Sequence, residues 1–186
     1  MYDTTAFRKG LKIEMDGAPW IMVECNFVKP GKGAAIYKVK LKNLVTGQVL
    51  DRNFRSGDKV GKPDLEELPC TFLYNDGDYH FMNTSTYEQI ALTEDQVDEA
   101  KNYLVEQLEV GLLMYNGSPI SIELPNFIEA AIQYCEPGVA GNTAQGATKP
   151  VTLVTGLVVN TPLYIKDTDV LKIDTRTGEY VERANK

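Results

Sequence analysis

The chain has 186 residues, 43% of them hydrophobic, which supports several packed cores and excludes a disordered protein. Its formal net charge of −7 would argue against nucleic acid if it were evenly spread. It is not: residues 1–63 hold 12 Lys/Arg against 6 Asp/Glu (+6), residues 64–127 hold 1 against 13 (−12), and residues 128–186 hold 6 against 7 (−1), so a basic first domain can face RNA in an acidic protein.

Residues 1–10 carry Asp3, Arg8 and Lys9 with no apolar run, and nowhere do 18 uncharged apolar residues follow one another. No membrane contact and a cytoplasmic location are therefore expected. The first strand candidates are 11–15, closed by Asp16-Gly17, then 20–28 and 36–41. Between the last two lies Lys29-Pro30-Gly31-Lys32-Gly33-Ala34-Ala35. Proline fixes one backbone angle and the two glycines tolerate positive φ, so the segment predicts a tight hairpin tip that presents the Lys32 ammonium. It is not a phosphate-cradling nucleotide loop, which needs glycine where Asn26 stands and Ser or Thr where Gly33 stands. It is not a dinucleotide fingerprint either, because Ala34-Ala35-Ile36 supplies no third glycine and no helix start. In the second hairpin strand Tyr37, Val39 and Leu41 alternate with Lys38, Lys40 and Lys42, which predicts a basic stripe behind the tip. With Lys29, Lys32, Arg52, Arg55, Lys59 and Lys62 it makes a phosphate-contacting surface the expectation.

Turn signals Thr46-Gly47, Asn75-Asp76-Gly77, Asn116-Gly117 and Thr177-Gly178 punctuate further strand candidates at 70–74, 79–82, 112–115, 120–124, 151–153, 157–159, 163–165, 170–173 and 180–181. That spacing predicts an all-β protein of small barrels. One helix is expected: Thr93-Glu94-Asp95-Gln96 has the form of a capping box, and Val97, Ala100, Leu104 and Leu108 recur at helical spacing before Gly111. Pro63 and Pro125-Asn126 coincide with the changes of charge sign and divide the chain into domains 1–63, 64–127 and 128–186. Cys25, Cys70 and Cys135 are odd in number and far apart, which predicts reduced thiols and neither a disulfide framework nor a zinc site. The single histidine, His80, lies in an aromatic strand with only Ser85 near it in sequence, so no catalytic residue, metal or cofactor is expected.

Several stretches are specific enough to carry a resemblance: 27–33 around the lysine tip, Leu73-Tyr74-Asn75-Asp76-Gly77, Asn116-Gly117-Ser118-Pro119-Ile120-Ser121, residues 149–156, and Asp174-Thr175-Arg176-Thr177-Gly178-Glu179-Tyr180. Through them the chain resembles the bacterial translation elongation factor P family over essentially its whole length. The resemblance implies three barrels in series: an N-terminal SH3-like barrel, then two OB-fold barrels, with one short helix in the middle one. It implies binding to the ribosome between the P and E sites, and stimulation of peptide bond formation at consecutive prolines by positioning the P-site peptidyl-tRNA, without enzyme chemistry or cofactor. A monomer is expected, with the ribosome, that tRNA and a lysine-modifying enzyme as partners. Lys32 matches the residue that is modified and meets the CCA end, and Lys29, Pro30, Gly31, Gly33, Lys40, Lys42 and Arg55 are expected to contact tRNA. Gly141, Asn142 and Thr143 match the loop that approaches the E-site codon, with Asn142 standing where the family usually has aspartate. Tyr180 and Arg183 are further expected tRNA contacts. Val151, Thr161 and Thr168 also depart from the family pattern. Two other readings compete: a paralogue without the polyproline role, and a general RNA-binding OB-fold protein. The thirteen acids against Lys101 in the middle domain disfavour the second.

Overall fold

Short alternating runs separated by turn residues fold here as they should, into antiparallel ladders whose buried faces meet across small cores. The computed structural model describes residues 1–137 and 146–185, and the chain divides into two compact units, Met1–Glu66 and Glu67–Lys186. The first unit contains β1 (Tyr2–Asp3), β2 (Lys12–Met15), β3 (Ala18–Val28), β4 (Ile36–Asn43), β5 (Val49–Arg55) and β6 (Lys59–Val60). Strands β2-β3-β4-β5 form one antiparallel sheet in sequence order, and β1 pairs with β6. Ile13, Met22, Val39 and Leu41 on the inner face are essentially sealed from water, and Phe7, Trp20 and Phe54 complete their core. Each such side chain contributes roughly 1.5–3 kcal/mol on burial. The Trp20 indole N–H donates to the Met15 carbonyl at 3.1 Å, so its one polar atom is satisfied in the core.

The second unit is built from two five-stranded sheets. The first holds β7 (Glu66–Asn75), β8 (Tyr79–Asn83), β9 (Gln89–Leu92), α1 (Glu94–Val97), β10 (Glu109–Tyr115) and β11 (Ser118–Glu123). The second holds β12 (Phe127–Cys135), β13 (Thr148–Leu153), β14 (Val158–Pro162), β15 (Val170–Asp174) and β16 (Glu179–Arg183). Their strand orders are β11-β10-β7-β8-β9 and β14-β13-β12-β15-β16. Renumbered within each sheet, both read 5-4-1-2-3: the first strand lies in the middle, flanked by the second and the fourth. Each sheet has its own core, around Phe81 and Leu112 in one and around Leu153, Ile165, Leu171 and Ile173 in the other. The link between β9 and β10 joins them, since Leu104 is buried in the first of these cores while Tyr103 and Val105 pack against the second.

One turn design recurs in all three sheets. Asn43 Oδ1 accepts the Val45 and Thr46 N–H groups, Asn83 Oδ1 accepts those of Ser85 and Thr86, and Asp174 Oδ1 accepts that of Arg176. In each turn the fifth residue has positive φ: Gly47 at 75°, Tyr87 at 61° and Gly178 at 76°. Two of these positions use glycine, and the third carries a tyrosine that is 74% exposed.

Three sequence expectations are corrected. The helix closes after Val97, because Asp98 takes φ +53° and the chain continues as a 3-10 turn, Asp98–Asn102; the capping box at Thr93 and Gln96 is present, but Leu104 and Leu108 reach their cores from non-helical backbone. Gly111 therefore does not end a helix and lies inside β10. The 163–165 segment is a turn and not a strand, although Ile165 at its end is buried. The strand candidates also omit β5, β9 and β12, the last of these being the middle strand of its sheet. No helix among the described residues is long and apolar enough to cross a membrane.

Candidate nucleic-acid interface

The lysine segment is the link between β3 and β4, whose last pair is Val28 with Ile36. Residues 29–34 are all exposed, and Lys32 has no ion pair or hydrogen bond with any described residue. Of the two glycines only Gly33 needs its freedom, at φ +140°; a Cβ there would touch Pro30 Cγ at 3.7 Å, so conformation and not crowding selects glycine. Gly31 has ordinary φ and open space around it. Arg55 ends β5 opposite Ile36, at the base of the loop, and the neighbouring Ser56 N–H donates to the Ala35 carbonyl at 3.0 Å. Lys29, Pro30, Gly31, Lys32, Gly33 and Arg55 thus come together at one end of the sheet.

Lys40 and Lys42 do not join them there. At about 3.3 Å per residue they lie roughly 13 and 20 Å down β4 from the loop base. The inward set is as the alternation predicts, with Val39 and Leu41 buried, and Lys38, Lys40 and Lys42 project from the other face. That face is more balanced than its lysines suggest. Lys40 lies between Glu24 on β3 and Asp51 on β5, and its Nζ is 3.1 Å from Glu24 Oε1. The bond to Glu24, with help from Asp51, holds this ammonium above the ordinary lysine value. Lys38 lies between Asn26 and Asn53, and a shallow concavity of 170 Å³ follows this row. Arg52 is occupied elsewhere, 3.7 Å from Asp16 and over the Phe54 ring at 5.9 Å. Among the described residues of this loop and sheet, Lys40 and Arg52 are paired with carboxylates, whereas Lys29, Lys32, Lys38 and Arg55 make no ion pair. Sequence reasoning missed Glu24 and Asp51; only the strand register, which a β-bulge between Met22 and Glu24 shifts, reveals them as counter-charges.

In the second unit Tyr180 packs half-buried against the last core, and its hydroxyl is pushed up to about 12 by burial and by the bond to Tyr164. Arg183 lies over the Tyr164 ring at 5.6 Å and 3.8 Å from the buried Asp169 carboxylate. These two form a tyrosine–arginine–aspartate cluster with Tyr164 and Asp169. Gly141, Asn142 and Thr143 lie outside the described residues. Cys25, Cys70 and Cys135 are free, and burial raises the first two thiols. His80 Nε2 lies 2.8 Å from Asp76 Oδ1 and its ring stacks on Tyr74, while Ser85 belongs to the β8–β9 turn. Among the described residues no three His, Cys, Asp or Glu side chains gather as metal ligands would.

A basic first unit with a bare lysine loop, followed by two sheets of the same OB strand order, defines a protein of small β-barrels in series. Residues 3–60 match the elongation factor P KOW-like domain, residues 65–122 its OB domain, and residues 128–183 the elongation factor P C-terminal domain. Elongation factor P of Moorella thermoacetica is 49% identical over 185 residues, covering 99% of this chain and 100% of the relative. That of Desulfosudis oleivorans is 49% identical over 187 residues, covering both chains fully. Among solved structures, the eukaryotic translation initiation factor 5A from Methanococcus jannaschii superposes at a TM-score of 0.46 with 21% identity, over 66% of this chain and 93% of its own. The chain belongs to the elongation factor P family.

Proposed function

We propose that this chain, a translation elongation factor by family, binds the ribosome between the P and E sites in the cytoplasm. There it stimulates peptide bond formation at consecutive prolines by steadying the P-site peptidyl-tRNA. It works as a monomer of three domains, 1–63, 64–127 and 128–186, with Lys32 as the group that meets the CCA end and as the substrate of a lysine-modifying enzyme. The observation that carries this reading is the bare ammonium at Lys32, raised on a loop whose backbone is fixed by Pro30 and Gly33 and flanked by Lys29 and Arg55. Phosphate contacts from Lys29 and Arg55 supply orientation, and Lys40 and Lys42 extend the contact by exchanging their present partners for phosphate. Proline is a rigid, poor nucleophile, so the slow step is limited by placement, and each tenfold gain in rate needs only about 1.4 kcal/mol of better positioning. No chemistry by the factor is required. Tyr180, Arg183 and the loop at Gly141, Asn142 and Thr143 are further contacts on this reading.

The test is synthesis of a Pro-Pro-Pro peptide in a purified translation system with wild type and with Lys32→Ala. Lys32→Ala should lose the stimulation while keeping the fluorescence of buried Trp20, and equal relief of stalling by both proteins overturns the proposal. Tight, sequence-independent binding of poly-U without ribosomes would favour a general RNA-binding protein instead.

A further inference from the structure

We infer that a cleft between the two barrels of the second unit docks a basic segment of a partner protein, an arginine side chain entering against Tyr74 and Glu106. This goes beyond the role assigned to Lys32 and does not depend on it.

The cleft encloses 530 Å³, within the range of about 300–1,000 Å³ that side-chain and small-ligand sites occupy. Phe72, Tyr79 and Leu104 form its apolar floor, and the turn at Val154 and Thr155 forms the facing wall. Tyr74 stands at the mouth, 46% exposed. His80 supports its ring, stacked at 4.4 Å between centroids with 22° between planes, and Asp76 in turn holds His80 at 2.8 Å. Asp76 and His80 do not line the cleft, so the tyrosine is fixed from outside with little side-chain freedom left to lose on binding. An aromatic face held in this way suits a planar cation.

Charge selects the partner. Lys101 is the one basic group among the described residues lining the cleft, and it is already paired with Glu94 at 2.5 Å. Glu106 on the same lining has no ion pair with a described residue, and residues 64–127 carry 13 acids against that single lysine. A guanidinium can stack on Tyr74 and bond to Glu106 through its fork, whereas an RNA phosphate would meet the Glu106 carboxylate and a lysine already paired with Glu94. Thr155, which belongs to the same lining, has a buried hydroxyl oxygen without a hydrogen-bond partner among the described residues.

The experiment is a titration of the full, isotope-labelled chain with a capped arginine–glycine peptide, with its glutamate–glycine counterpart and with oligouridylate, followed by amide NMR shifts. The arginine peptide should give saturable shifts centred on Asn75, Val105, Glu106 and Thr155. Tyr74→Ala and Glu106→Gln should each weaken it by about fivefold, the scale of a cation–π or charge-assisted contact. Glu88→Gln, in the β8–β9 turn of the same barrel, should leave it unchanged. Glu106→Gln keeps the packing intact, so its result stands even if Tyr74→Ala unfolds the barrel. Shifts scattered over the acidic surface, equal weakening by Glu88→Gln, cleft shifts produced by oligouridylate instead, or no saturable binding would each overturn the inference.

Discussion

Lys149 is 7% exposed, and its Nζ donates to the Ile165 carbonyl at 2.6 Å and to the Glu136 carbonyl at 2.9 Å. It thereby ties the end of β12 to the turn that follows β14. Methionine at this position keeps the length and the apolar stem but removes the charge and both donors. Hydrogen bonds from a charged group are worth about 1.5–3 kcal/mol each, and the Ile165 carbonyl belongs to a residue only 1% exposed, where water cannot readily replace the donor. Against this stands the desolvation of the ammonium, several kcal/mol, which the variant no longer bears. Because the ammonium's partners are neutral carbonyls and no charge is left behind, the net loss is the cost of stripping a charged donor from a buried acceptor, about 1–3 kcal/mol. In a chain of this length that lowers the melting temperature by about 2–12 °C. Far-UV circular dichroism follows all the strands, whereas Trp20 fluorescence reports the core of the first unit alone, so the two signals should separate in Lys149→Met. Amide hydrogen exchange at Ala130, Leu171 and Ile173 should accelerate together, since these residues share the affected core. If the variant melts with wild type and exchange in β12 and β15 is unchanged, the two carbonyl contacts only offset the cost of burying the charge and the reasoning fails.

The recurrent turn makes its own prediction. A non-glycine residue in the left-handed region costs about 1–2 kcal/mol, and glycine returns roughly 0.4–1 kcal/mol of that through the freedom of the unfolded chain. Tyr87→Gly should therefore raise the unfolding free energy, read from the urea midpoint at unchanged m, by under about 1 kcal/mol, because the exposed ring gives up little packing; a clear loss of stability would mean that the ring is held by contacts. The third turn carries a pH signature. The side-chain bond from Arg176, aided by its backbone N–H, holds the Asp174 carboxyl below the usual aspartate value. A depressed folded value contributes stability above the unfolded carboxylate range, near about 3.9, and that contribution fades as pH falls through the folded value. The urea midpoints of wild type and Asp174→Asn should thus differ by a constant amount at neutral pH and converge below about pH 4, whereas a gap independent of pH would show that the charge does not matter there.

What could be read from the sequence, and what could not, follows the distance over which each feature is decided. The tip was legible because seven residues fix it: Pro30 and Gly33 set the backbone, and nothing distant has to arrive. The inward face of β4 was legible because burial on one side of a strand writes itself as alternation. The charge of its outer face was not, since Lys40 is balanced by Glu24 and Asp51, sixteen residues before it and eleven after, and a bulge in β3 decides which residue stands opposite. The helix was over-read for a related reason. Leu104 and Leu108 do reach cores, but Tyr103 and Val105 beside them serve the other barrel, and a segment that feeds two cores can imitate a single apolar stripe. In β12 the alternation of Ile128, Ala130 and Ile132 is present but faint, because alanine adds little apolar signal at its middle position. Local chemistry thus specifies the group offered to a partner, and tertiary pairing specifies how much charge surrounds it. Conserving the loop alone would then preserve the exposed lysine, whereas Glu24→Gln or Asp51→Asn would change the field along the strand without touching the loop.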